Sequence, residues 1–303
     1  MSLFIETAKK EGLNGAHLYL LGVLASFLGG QIIGAIPLLY VMLSKGVFDT
    51  SVMTNPSLLG LSNNEFISLA MFPFVLSFVI LWIFIKYVHK KRFLVSLTAF
   101  DSFNWQKLFF SFFTWLLMSA IIDGTFYLMD PTNYEFHFAG KAFWILLAIS
   151  LLIIPIQTSF EELLFRSYLM QSIGMISAYR IVPFLITSIS FGLMHIMNPE
   201  IGEYGYIVLI QYIGIGFLLG LLTILSDSTE LALGLHAANN IYGSIFVSFK
   251  GSALTTDSLF YSKEMDVSLS SMLFSVGIMV LFYFIMNKKY KLLPLRSLVE
   301  KYK

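Results

Sequence analysis

An all-α, polytopic membrane protein is the fold class this sequence predicts, with eight transmembrane helices around an internal polar cavity open toward the cytoplasmic side. Three observations predict it. Of 303 residues, 57% are hydrophobic and only 12% are charged, about half the charged fraction of soluble domains, and the mean hydropathy is +0.79. Apolar runs of the length that crosses a bilayer recur along the chain. The few ionisable residues inside those runs are of types that carry chemistry.

The first run, residues 18–42, follows Lys9 and Lys10 and has no small-residue cleavage site, so it reads as an anchor and not a removed signal. Further spans are expected at 66–88, 108–129, 181–197, 206–225 and 268–286. Residues 142–173 form one long segment kinked at Pro155, and residues 231–248 are weakly hydrophobic because His236, Asn239 and Asn240 lie in them. Short cytoplasmic loops are enriched in Lys and Arg. Lys9, Lys10, the run His89-Lys90-Lys91-Arg92 and the tail with Lys288, Lys289, Lys291 and Arg296 therefore place both termini on the cytoplasmic side of a cell membrane. Two inside termini require an even number of crossings, and counting both irregular segments gives eight. The loops 130–141, 198–203 and 250–266 then lie outside. The whole of 1–303 is one integral membrane domain. The pairs Gly30/Gly34 and Gly216/Gly220 have the spacing that lets helices approach closely.

Several function classes are excluded. A net charge of +1 without a basic, aromatic-interleaved patch argues against a nucleic-acid partner. The absence of cysteine removes disulfides, thiolate metal sites and a cysteine nucleophile.

The residues that demand explanation are Glu161, Glu162 and Arg166, inside the fourth apolar segment. A charge at mid-bilayer costs at least about 2.5 kcal/mol, so three must be paired or face water. Glu162 and Arg166 are four apart and share a helical face, acid before base. That makes them a structural brace. Glu161 is rotated about 100° from Glu162 and points elsewhere. His195 lies near one end of the fifth span, and His236 and Asn240 share a face of the seventh. Counting 1.5 Å per residue from the cytoplasmic ends puts Glu161 about 18 Å deep, His236 about 8 Å, Asn240 about 14 Å and His195 about 20 Å. A carboxylate with an imidazole can deprotonate water and return the proton to a leaving amine. An imidazole and a carboxamide can donate to an oxyanion. Asn239, Asp123, His17, His89 and His137 receive no chemistry.

The pattern Glu161-Glu162-x-x-x-Arg166, Phe191-x-x-x-His195 and His236-x-x-x-Asn240 resembles the CPBP family of intramembrane proteases, the CAAX-protease and bacteriocin-processing enzymes that include prenyl-protein CAAX endopeptidases. The resemblance covers a core at residues 142–248. It implies an eight-helix fold with a conical interior cavity. It also implies a peptidase acting on a membrane-associated protein or peptide, in which Glu161 and His195 activate water and His236 and Asn240 form the oxyanion hole. No cofactor is expected. A zinc-dependent version would take Glu161, His195 and His236 as ligands, but no His-Glu-x-x-His helix is present to set the tetrahedron. Two other classes remain: a bacteriocin-immunity or signalling-partner protein that binds without turnover, and a proton-coupled transporter using the same buried acids and histidines.

Overall fold

The computed structural model describes residues 3–177 and 179–301. Among the described residues the bundle is built from α1 Ala16–Lys45, α2 Asn63–Val88, α3 Trp105–Met129, α4 Lys141–Ile176, α5 Ile181–Leu193, α6 Tyr206–Ser226, α7 Glu230–Ile245 and α8 Leu269–Tyr290. Among the described residues six of these passes are long and apolar enough to cross a membrane, and the molecule is an all-α polytopic membrane protein. The expected eight spans are not all matched by length and hydropathy. α5 has 13 residues and ends at Leu193, where the run was expected to reach 197. α7 has 16 residues, mixes polar with apolar side chains and stops at Ile245.

Two passes bend at identifiable places. In α4 the helix breaks at Ile153, directly before Ile154 and Pro155 restart it, because proline has no N–H to give the preceding turn. The same pass then widens into a π-helical stretch at Leu163–Leu169, a local distortion found most often at functional sites. A second such stretch, Leu24–Gly29, lies in α1.

The two ends of the bundle are chemically different. One is the basic end. There the Thr98–Ser228 and Tyr179–Lys301 backbone bridges join loops far apart in sequence. The Phe4 amide donates to Asp227 Oδ1 at 3.2 Å, and Lys91 Nζ donates to the Ala8 carbonyl and the Tyr19 hydroxyl, each at 2.8 Å. The other end carries a feature the sequence did not announce, a three-stranded sheet in the order β1–β3–β2. Its strands are β1 Tyr134–Phe136, β2 Val247–Phe249 and β3 Phe260–Ser262. Asn63 Nδ2 donates to Asp257 Oδ1 at 2.7 Å, and Tyr204 to the Lys250 carbonyl at 2.9 Å, tying the neighbouring loops to this sheet.

α7 is the centre of the packing. It lies against α3, α4 and α6, and residues 230–238 are all buried. Gly234 makes that possible: a Cβ there would sit 2.2 Å from the Leu108 carbonyl of α3. Gly216 plays the same part between α6 and α5, where a Cβ would fall 2.5 Å from the Ser188 carbonyl. Both are backbone-to-backbone approaches that only glycine permits. The outer faces are apolar, as Phe109, Phe113, Leu117 and Ile121 show at helical spacing along exposed α3.

Candidate functional site

α4 supplies the two acids and the arginine. Glu162 and Arg166 are both fully buried, and Arg166 Nη1 donates to Glu162 Oε1 at 3.1 Å. Arg166 Nη2 donates to the Gly216 carbonyl at 3.3 Å, and the guanidinium lies 4.0 Å from the centre of the Phe191 ring. The close approach at Gly216 therefore also delivers a carbonyl to the arginine. The i,i+4 pair expected from the sequence forms across the π-helical stretch.

α7 brings His236 between the two acids. Its Nδ1 donates to Glu162 Oε1 at 2.7 Å, and its Nε2 lies 3.4 Å from Glu161 Oε2. Carboxylates accept and do not donate, so Nδ1 carries the proton facing Glu162. The lone pair of a neutral Nε2 would then face a carboxylate. A single proton on either Nε2 or Glu161 would remove that repulsion. Counted depths had separated Glu161 from His236 by about 10 Å. Contact is possible because α4 is kinked and α7 is short, so neither is a straight rod starting from a common plane.

His195 sits just beyond the end of α5. Its Nδ1 is 2.9 Å from the Phe191 carbonyl, an acceptor, so Nδ1 is the protonated nitrogen and Nε2 keeps a lone pair in the neutral ring. The ring stacks on Tyr212 at 4.3 Å between centroids and 18° between planes. Phe191 stands between the two histidines, 4.9 Å from His195 and 5.6 Å from His236, ring centre to ring centre. Asn240 Nδ2 donates to Gln157 Oε1 at 3.1 Å, and Gln157 lies one helical turn before Glu161, near its carboxylate. Asn239 joins the network as well, donating to Asn240 Oδ1 and accepting from Trp115 Nε1, both at 3.2 Å.

The structure thus brings Glu161, Glu162, Arg166 and His236 into direct contact and connects Asn240 through Gln157. It holds His195 beside them across Phe191. Three contributors were missed in the sequence. Gln157 could have been found, since it is a polar residue four before Glu161 on the same face. Phe191 was noted only as part of a motif. Tyr212 gives no local signal, because its position against His195 depends on how α6 packs on α5. Asp123, near the sheet end of α3, is half-buried.

A cavity of about 620 Å³ lies beside this cluster. Asp130, Asn133, Glu264 and Asp266 line it, which puts it at the sheet end of the bundle. The acids of α4 do not line it. Tyr212 and Asn239, each in contact with a site residue, form part of its wall. Among the described residues no group of three His, Asp or Glu side chains could hold a metal ion.

Residues 140–242 match the family model of type II CAAX prenyl endopeptidases, described as Rce1-like. All three motifs lie within that segment, so the stretch that carries the buried cluster is the one similar to that family. An uncharacterized protein of Bacillus subtilis (strain 168), YyaK, is 33% identical over 174 residues, which cover 56% of this chain and 58% of that protein. No solved structure matches.

Proposed function

We propose that this chain is an intramembrane endopeptidase that hydrolyses a peptide bond of a membrane-associated protein or peptide. The observation that carries the reading is the meeting of Glu161 with His236 Nε2 at 3.4 Å, inside a frame made by Glu162, Arg166 and His236 Nδ1. One carboxylate is fixed as structure and the other is left for chemistry. Glu161 takes a proton from water as it attacks the scissile carbonyl and returns that proton to the leaving amine, while His195, with Nε2 as its basic nitrogen, accepts a hydrogen bond from the attacking water. His236 and Asn240 donate to the oxygen of the tetrahedral intermediate. For this Asn240 Nδ2 exchanges the Gln157 oxygen for the substrate oxygen, and His236 donates through a protonated Nε2. No step passes through a metal ion, and a chelator is expected to leave activity unchanged. The basic end faces the cytoplasm, with both termini there, in the cell membrane.

The test compares membrane proteins and released peptides by quantitative proteomics in cells carrying wild type or Glu161→Gln. A peptide lost and a precursor accumulated in the variant support the reading and name the substrate. Full biological effect in both Glu161→Gln and His195→Ala would leave a binding protein without turnover as the function.

A further inference from the structure

The cavity at the sheet end has a wall of unusual make-up. Among its described lining residues are four carboxylates, Asp123, Asp130, Glu264 and Asp266, and no Lys, Arg or His. Between them stand aromatic faces, including Trp115, Phe126, Tyr134 and Tyr242. Lys263 spends its ammonium on the Thr132 carbonyl at 2.9 Å, and hydrogen bonds from Thr132, with Lys263 as the smallest contributor, lower the Asp130 carboxyl. The negative field reaches the aromatic groups: burial first, then the charges of Asp123 and Asp130, push the Tyr134 phenol up from its ordinary value. Asp123 is placed deepest along α3. Tyr242 stands beside it in the same wall.

Aromatic faces and carboxylates attract the same partner, a cation with an apolar stem. The wall is also continuous with the proposed active site. Tyr212 stacks on His195, and Asn239 donates to Asn240. A group held in the chamber is therefore one residue layer from the groups that would cut. We propose that this chamber binds the Lys or Arg side chain of the peptide substrate, and so sets a preference for a basic residue beside the scissile bond. The inference rests on the peptidase reading for the fate of the bound peptide, not for its binding.

The experiment uses full-length protein in zwitterionic lipid nanodiscs. The probe is a fluorescently labelled pentapeptide, Leu-Phe-Arg-Phe-Leu, acetylated and amidated so that no terminal ammonium competes for the site. Its control has citrulline in place of arginine, which keeps the shape and removes the charge. The expected result is at least about tenfold tighter binding of the arginine peptide. That preference should fall below about threefold in Asp123→Asn and persist in Glu161→Gln. Glu264→Gln, at the rim, serves as a second variant should Asp123→Asn fail to fold, and should also weaken the preference. Equal binding of the two peptides to wild type, or a full preference retained in both Asp123→Asn and Glu264→Gln, overturns the proposal. Preferential binding without cleavage would sink the peptidase reading and leave the chamber standing.

Discussion

Glu161 and Glu162 are neighbours of identical chemistry, and the structure says that exchanging one for glutamine should do something different from exchanging the other. Glutamine keeps the shape and one acceptor oxygen, so the substitution isolates charge. In Glu162→Gln, His236 Nδ1 still has an oxygen to donate to, but Arg166 loses the only carboxylate it hydrogen-bonds, in a site with no exposed surface. Hydrogen bonds inside membrane proteins average less than about 1 kcal/mol. A stranded buried charge costs more, about 3 kcal/mol at the low end, and that term decides the outcome. In Glu161→Gln nothing comparable is lost. Its Oε2 accepts no hydrogen bond and lies 3.4 Å from His236, so stability should move by no more than about 1 kcal/mol. The assay is reversible unfolding in mixed micelles on titration with dodecyl sulfate, followed by helical circular dichroism, and needs no substrate. The expected gap between the variants is about thirtyfold in the unfolding equilibrium. A loss in Glu161→Gln equal to that in Glu162→Gln would refute the division of labour between the two acids.

Other outcomes are expected on the same grounds. Arg166→Lys should lose stability by about 1–3 kcal/mol in the same assay, because an ammonium cannot serve Glu162, the Gly216 carbonyl and the Phe191 face with one planar group. Gly216→Ala must displace the Ser188 backbone, and overpacking of this kind costs about 1–3 kcal/mol; double-mutant analysis with Arg166→Lys should show the two effects coupled. Burial lowers the Lys91 ammonium from 10.5 to about 8. Between pH 8 and 10.5 the unfolded chain therefore holds more protons than the folded one, and this group's contribution makes stability rise with pH across that window. Lys91→Met should remove the rise, and unchanged slopes in parallel unfolding curves would contradict the assignment. Single cysteines at Lys10 and Asp257, in a chain that has none of its own, should react with an impermeant maleimide from opposite sides of the membrane. Labelling of both from one side would overturn the topology.

What the sequence disclosed follows from the range of the forces involved. Apolar runs are local, so six passes are legible from composition, and helical phase is local, so the Glu162–Arg166 pair is legible from spacing. Contacts between passes are not. Pro155 announced a bend in α4, but not that it would carry Glu161 to His236, against a simple count of depth. The turn at Leu163–Leu169 has no sequence signature at all. The sequence reads β1 and β3 as loop and the start of β2 as the end of the seventh span, because strands of three residues are too short for alternation to show. Tyr212 looked like any aromatic residue in an apolar helix until α6 met α5.

Two kinds of bond hold the cluster, and they differ in how readily they can be traded. Glu162, Arg166 and His236 are joined by charge in a dry interior, where letting go of any partner is expensive. Asn240 and Gln157 are joined amide to amide. An incoming backbone carbonyl can replace the Gln157 oxygen like for like, at a net cost near zero. The interior is therefore stiff in its charged half and exchangeable in its neutral half. A peptide could enter by swapping one amide partner for another while the electrostatic scaffold stays where it is.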